Sequence, residues 1–213
     1  MKRAFLLLAA IFMVASTAAL ADEVLIIGTA ASSNYSPWWG SSYNALRFMC
    51  LWEKSEIAAV NGGYINKIEM NRSSSTGATF NNVRVYLGHS NHTALESTFA
   101  NNYDSFTPVQ VLNASSLNVT GNSGEWWDMG ITPGTFTYNN TNNLIMEIRW
   151  NGDNGSSALC YRANGTAKRM WATNDDNALT GTVQNQGQYI RLTISNTTGV
   201  TPSSMGRVKA AFR

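Results

Sequence analysis

The chain has 213 residues, of which 13% are charged, and its formal net charge at pH 7 is +2. Lys2 and Arg3 account for that excess, because the other basic residues equal the 13 acidic ones in number. No long Lys/Arg-rich run is present, which argues against a nucleic-acid-binding protein and predicts no nucleic-acid partner. The length favours one domain with a sizeable core.

The N-terminus has the three regions of a signal peptide. Lys2 and Arg3 precede an apolar run over residues 4–14, and the small-residue site Ala19-Leu20-Ala21 stands before Asp22. We therefore predict that residues 1–21 are a signal peptide and that 22–213 form a single domain. No later apolar stretch approaches the length of a membrane helix, so no membrane insertion is expected after cleavage. The expected location is extracellular or at the cell surface, with the periplasm left open.

Short segments that alternate apolar and polar residues follow one another along the chain, separated by Gly, Asn, Ser and Pro. This pattern predicts an all-β fold, an antiparallel two-sheet β-sandwich of jelly-roll-like form with about ten strands. The candidate strands are Val24–Gly28, Leu46–Trp52, Tyr64–Met70, Val83–Leu87, Pro108–Leu112, Trp126–Ile131, Leu144–Trp150, Ala158–Arg162, Arg169–Thr173, Tyr189–Ile194 and Arg207–Phe212.

The alternation also predicts which residues face the core. These are Ile68 and Met70 in one strand, Val83, Val85 and Leu87 in a second, and Ile190, Leu192 and Ile194 in a third. Tyr189 and Arg191 lie on the opposite face of that third strand. One short helical turn is expected over Ser55–Val60. Asn164-Gly165 predicts a tight hairpin between the strands on either side.

Several segments together resemble a β-sandwich domain that recurs in exported, often adhesin-like surface proteins of Bacteroidota and related candidate phyla. The resemblance covers nearly all of the chain after the leader and implies a β-sandwich fold without known catalytic residues. It is carried by Arg47 with Ser55-Glu56-Ile57, by Gly62-Gly63-Tyr64-Ile65-Asn66-Lys67-Ile68, by the run 81–89 from Asn81 to His89, by the run 136–144 from Phe136 to Leu144, and by Tyr189-Ile190-Arg191-Leu192.

Cys50 and Cys160 are the two cysteines of the chain. Export to an oxidising compartment is compatible with a disulfide between them. The alternative is two buried thiols that act as small apolar side chains.

Tryptophan marks the candidate binding residues, Trp38, Trp39 and Trp126. Neighbouring residues of a strand point to opposite faces, so Trp127 is predicted to face the core and Trp126 the surface. Trp38 and Trp39 are predicted either to bind a ligand or to plug one end of the sandwich.

Catalytic and metal-binding patterns are weak. His89 and His92 lack neighbouring Cys or carboxylate ligands, so no metal site is predicted. Glu125 and Asp128 flank the tryptophan pair as the best candidate acids. Asp153 and the pair Asp175-Asp176 lie in oxygen-rich turns without the spacing of an EF-hand loop, so Asx turns explain both segments better than calcium binding does. No cofactor is expected, and the chain is not predicted to be an enzyme.

These observations favour a secreted, non-enzymatic binding or structural module in adhesion or surface assembly. The alternative function is a carbohydrate-binding protein or a weak glycoside-active enzyme. The expected partner is an extracellular protein or a glycan, and self-assembly is left open.

Overall fold

The computed structural model describes residues 21–34 and 37–196. These residues form an all-β structure with one short α-helix and one 3-10 turn. The strands are β1 Glu23–Ile27, β2 Ser32–Asn34, β3 Ala45–Trp52, β4 Gly63–Asn71, β5 Ala78–Ser90, β6 Val109–Val119, β7 Trp126–Asp128, β8 Thr137–Tyr138, β9 Asn143–Asn151, β10 Cys160–Thr173, β11 Thr182–Gln188 and β12 Ile190–Asn196. The helix α1 spans Lys54–Ile57 and the 3-10 turn spans Phe99–Tyr103.

The strands form two antiparallel sheets. The five-stranded sheet has the order β1-β12-β4-β7, and β8 also pairs with β4. The seven-stranded sheet has the order β11-β10-β3-β9-β5-β6, and β2 pairs with β10. The predicted β-sandwich is therefore confirmed, with about twelve strands in place of about ten. No helix in the described residues is long and apolar enough to cross a membrane.

The core lies between the sheets and follows the two-residue period of the strands. The apolar sets predicted on three strands are all buried, namely Ile68, Met70, Val83, Val85, Leu87, Ile190, Leu192 and Ile194. Aromatic rings fill the space between them: Phe80 packs between Trp38 and Trp150, with ring centroids 5.3 and 4.9 Å away. The alternation of apolar residues thus predicted the inward faces correctly.

A second, smaller core lies on the outer face of the seven-stranded sheet. The segment around Phe99 and Tyr103 covers this face and packs on Met49 and Ile145. Gly88 permits this packing, because a Cβ there would lie 2.6 Å from the ring of Tyr103. Apolar residues at the outward positions of β3 and β9 therefore meet a covering segment, so both faces of this sheet are buried in part.

The expected hairpin at Asn164-Gly165 is wrong. Residues 160–173 form one strand, and the pair lies in an irregular stretch where the register with β11 shifts between Asn164 and Arg169. Neither residue has the positive φ that a tight hairpin turn demands. Pairing with strands on both sides keeps β10 continuous and turns the local hairpin signal into a bulge. β2, β8 and β11 were not predicted, and the expected strand Arg207–Phe212 lies outside the described residues.

The expected disulfide is corrected as well, because Cys50 and Cys160 are both free and fully buried. Cys50 pairs in register with Arg169, which lies on the far side of the irregular stretch from Cys160 on the same strand. The alternative of two buried thiols therefore describes the structure. Burial raises the pKa of Cys50 to about 12 and that of Cys160 to about 11.

Candidate functional site

The outer face of the five-stranded sheet carries an aromatic cluster at β7. Register fixes which residues share this face. Ile27, Ile190, Met70 and Trp127 form one cross-strand row that points into the core. The next row consists of Ile26, Arg191, Glu69 and Asp128, and it must point outwards because neighbours in a strand alternate.

Trp126 lies on this outer face and is only partly buried. Its ring centroid is 5.0 Å from that of Tyr189, and the Cζ atom of Arg191 lies 4.9 Å from the Trp126 centroid. We call Trp126, Tyr189 and Arg191 the platform. A guanidinium over an aromatic face is attracted by the ring quadrupole, so the three side chains hold one another in place.

Glu69 anchors the platform from below. Its buried carboxylate accepts two hydrogen bonds from Arg191, at 2.5 Å from Nε and 2.6 Å from Nη2, and a third from Lys67 at 3.0 Å. Burial raises the pKa of Glu69, but the hydrogen bonds from Arg191 and Lys67 outweigh it, so the pKa lies below its usual range. Two parallel hydrogen bonds fix the plane of the Arg191 guanidinium and with it the position of the ring that it contacts.

Exposed apolar residues adjoin the platform. Val24 and Ile26 on the edge strand β1 are 59% and 55% exposed. Ile26 stands directly opposite Arg191 in the register of β1 and β12. The outer face therefore presents aromatic, cationic and aliphatic groups side by side, a composition typical of protein recognition surfaces.

Trp127 confirms the prediction that the two adjacent tryptophans face opposite ways. Its ring packs against the core and meets the ring of Trp38 edge-on at 5.5 Å between centroids. Its indole nitrogen donates to the carbonyl of Asn118, 3.2 Å away.

Trp38 does not lie on the surface, which corrects its assignment as a ligand-binding residue. It is fully buried, and its indole N–H points to the sulfur of Met70 at 3.3 Å. The plug alternative thus describes Trp38. Trp39 is half-buried and packs edge-on against Tyr43, with 4.8 Å between ring centroids. The three predicted tryptophans therefore do not form one site.

The acids beside the tryptophan pair have structural partners. Glu125 accepts hydrogen bonds from the backbone and side chain of Asn122, at 2.7 and 2.9 Å, and these lower the pKa of its carboxyl. Asp128 accepts from the backbone of Gly130 at 2.9 Å and lies 3.6 Å from the ammonium of Lys67. This arrangement closes a turn and balances charge on the sheet.

The two histidines occupy different surroundings. His89 stacks among aromatic rings, with Phe136 at 4.9 Å between centroids, and its burial lowers its pKa. His92 lies 2.8 Å from the carboxylate of Asp104. Among the described residues, no group of three or more His, Cys, Asp or Glu side chains is placed to hold a metal ion.

Tyr189 and Arg191 are functional candidates that the sequence analysis did not single out. Their face was predicted correctly, opposite Ile190 and Leu192. Their contact with Trp126 depends on Glu69 and Asn71 of β4 lying between β12 and β7, an arrangement that no local pattern indicates.

Comparison with known proteins gives distant similarity of shape. No family model matches the chain, and no curated protein matches it. A clostridial cysteine protease after propeptide cleavage is similar at 8% identity, with a TM-score of 0.46, over 83% of this chain and 40% of that one. A structure of infectious bursal disease virus, Gt strain, is similar at 10% identity, with a TM-score of 0.29, over 91% of this chain and 50% of that one. The chain therefore spans half or less of the length of these two structures.

Proposed function

We propose that this chain is a secreted, non-enzymatic binding module that acts in adhesion or surface assembly, and that it contacts its partner through the platform. The observation that carries the proposal is the Trp126 ring, held on the outer face of a sheet by Tyr189 and Arg191. Core packing does not require a tryptophan there, because Trp127 supplies the ring that packs inwards. Trp, Tyr and Arg are the residue types that dominate the energetics of protein interfaces.

Preorganisation supports the same proposal. The bidentate Glu69–Arg191 pair limits the motion of the guanidinium, and the guanidinium and Tyr189 limit that of the Trp126 ring. Side chains that are already ordered lose less conformational entropy on binding, so more of the contact energy contributes to affinity. The exposed Val24 and Ile26 extend the contact area towards the edge of the sheet.

The partner that this surface suits best is an extracellular protein, including a second copy of this chain. Sedimentation of the exported protein over a wide concentration range tests the second copy directly. Reversible association that Trp126→Ala abolishes supports assembly through the platform. A monomer at all concentrations excludes the second copy, and a pull-down from the extracellular fraction with wild type and Trp126→Ala then tests a different protein.

Carbohydrate binding is the second candidate function, and the partly exposed Trp126 ring favours it because aromatic faces pack against the C–H faces of sugar rings. A glycan array on the protein beginning at Asp22 separates the two functions. Saturable glycan binding by the monomer that requires Trp126 supports the lectin function and contradicts the protein-partner proposal. Intact-mass measurement on exported protein tests the secretion proposal, for which Asp22 is the expected N-terminal residue.

A further inference from the structure

A separate cavity lies on the opposite side of the sandwich, over the outer face of the seven-stranded sheet. Its volume is about 280 Å³, and the side chains that define its chemistry are Arg47, Tyr86, Tyr103, Phe106, Glu147 and Arg149. None of these residues belongs to the platform. The floor comes from β3, β5 and β9, and the rim comes from the segment around the 3-10 turn.

Three arginines stand in a single row on this face of the sheet, and two of them, Arg47 and Arg149, line the cavity. Arg47, Arg149 and Arg84 stand directly opposite one another on β3, β9 and β5. Like charges in directly opposed positions repel, so the row needs compensating anions. Arg84 has a carboxylate of its own, because it is ion-paired with Asp176. Arg47 and Arg149 instead share Glu147.

Glu147 is saturated by donors. Arg47 donates to it from Nε at 2.9 Å and from Nη2 at 3.2 Å, Arg149 donates from Nε, and the Tyr103 hydroxyl donates at 3.0 Å. Burial raises the pKa of Tyr103 well above its ordinary value, and the charge of Glu147 raises it further, so the phenol keeps its proton. On the floor, Arg47 and Arg149 therefore share one carboxylate, and Asp104 at the rim is the second acidic residue that lines the cavity.

Arg149 is the guanidinium with a donor left to offer a ligand. Its Nε is engaged with Glu147 and its Nη1 lies 3.3 Å from Asn177, whereas Nη2 has no hydrogen-bond partner among the residues described. Each guanidinium nitrogen of Arg47, in contrast, has a hydrogen-bond acceptor. Nε and Nη2 donate to Glu147, and Nη1 donates to the carbonyl of Ala178 at 2.7 Å. Asp104 at the rim is occupied by His92 and by the backbone N–H of Asn91.

The other walls are apolar and aromatic. The Cζ atom of Arg149 lies 5.3 Å from the centroid of the Tyr86 ring, and Phe106 and Pro108 also line the cavity. A small pocket that combines apolar and aromatic walls with a few polar groups is the usual form of a small-molecule site. The size suits a single ring bearing a carboxylate, because a guanidinium recognises a carboxylate through paired donors and a ring packs against Tyr86 and Phe106.

We propose that this cavity binds the carboxylate of an acidic sugar unit, with Arg149 as the residue that contacts the carboxylate. The assignment is independent of the platform and of whichever partner the platform binds. It gives the outer face of the seven-stranded sheet a ligand class of its own, a uronic acid, because neutral sugars lack the carboxylate that would accept from Arg149.

Glucuronate titrated into the exported protein and followed by NMR chemical shifts is the test. Saturable shifts around Tyr86 and Phe106 are expected, with glucose at the same concentrations producing none. Arg149→Gln should weaken glucuronate binding by about tenfold or more, since a hydrogen bond to a charged group is lost. The variant is expected to fold, because Glu147 still accepts hydrogen bonds from Arg47 and Tyr103.

Arg84→Gln is the matched control, since Arg84 belongs to the same row but is paired with Asp176 and does not line the cavity. It should leave glucuronate binding within about twofold of wild type, a smaller change than one lost hydrogen bond to a charged group produces. Trp126→Ala should leave it unchanged as well, which separates this site from the platform. The assignment would be overturned if glucuronate produced no saturable shifts or if glucose bound equally well. Equal binding of glutamate would overturn it too, because that result would show a carboxylate site without a sugar subsite.

Discussion

Trp126 and Trp127 are adjacent in β7 yet pack on opposite faces of the same sheet, Trp127 against the core and Trp126 against Tyr189 and Arg191. Trp127→Ala removes a ring that contacts Trp38 and should lower the free energy of unfolding by about 3 kcal/mol. This value is at the lower end of the range for truncating a buried aromatic side chain, because the Trp127 ring is partly exposed. Trp126→Ala should cost about 1 kcal/mol, because it loses contacts on a solvated face. Urea unfolding of both variants measures the difference.

Trp126→Phe is the control for ring size, since it retains a ring beside Arg191. It should unfold within about 0.5 kcal/mol of wild type, as surface substitutions usually do. Equal destabilisation by Trp126→Ala and Trp127→Ala would contradict the assignment of one ring to the core and the other to the surface.

Glu69 should give the protein an acid-sensitive component of stability. Its pKa is lower in the folded protein than the ordinary value of 4.5. Its ionised form therefore stabilises the fold above that value, and the contribution is lost as the pH falls through the lower folded pKa. At pH 7, Glu69→Gln should cost about 1–2 kcal/mol, less than a fully buried pair because Arg191 and Lys67 are partly exposed.

Thermal unfolding of wild type and Glu69→Gln between pH 3 and pH 7 tests this prediction. The gap between the two melting temperatures should narrow as the pH falls below 4.5, because the unfolded chain then binds a proton at Glu69 that the folded protein takes up only below its lower pKa. Asp128→Asn is the matched control on the same row, and its exposed ion pair with Lys67 should contribute less than about 0.5 kcal/mol. A gap that stays constant with pH would contradict the role of the Glu69 charge.

Local alternation was enough to predict the two sheet faces but not the sites built on them. Ile190, Leu192 and Ile194 fixed the orientation of β12, and with it the outward direction of Arg191. The contact of Arg191 with Trp126 depends on strand order, which is set by long-range pairing and not by period. The charged row beneath the cavity was missed for a related reason. Arg47 and Glu147 are charged residues within strands, which a sequence pattern assigns to solvent, whereas a covering segment buries them here.

The thiols of Cys50 and Cys160 should not react with an alkylating reagent in the folded protein. Both should react once the protein is unfolded. Both are fully buried, and burial raises the pKa of each well above that of an exposed thiol. Thiolate, the nucleophilic form, is therefore scarce as well as inaccessible. Iodoacetamide should leave native protein unmodified over hours and should modify both residues in guanidinium without reductant. Two unmodified cysteines under the denaturing condition would instead indicate a disulfide.

Glu147 should be among the most sensitive positions of the chain. Its side chain is 1% exposed and that of Arg47 is 9% exposed, so removing the carboxylate leaves a buried guanidinium beside a second one. Glu147→Gln should cost about 3–5 kcal/mol, the usual result of breaking a buried ion pair from one side. Tyr103→Phe, which removes one neutral donor to the same carboxylate, should cost about 1 kcal/mol.

The double variant Arg47→Met with Glu147→Met separates lost attraction from unpaired charge. Apolar side chains of similar volume replace both partners, so no buried charge remains from the pair, and Arg149 is partly exposed to water. Its unfolding free energy should therefore be closer to wild type than that of Glu147→Gln, because replacing both members of a buried pair is often neutral. Urea titration of wild type, Arg47→Met, Glu147→Met and the double variant measures the coupling. A double variant less stable than Glu147→Gln would mean that the pair contributes net attraction.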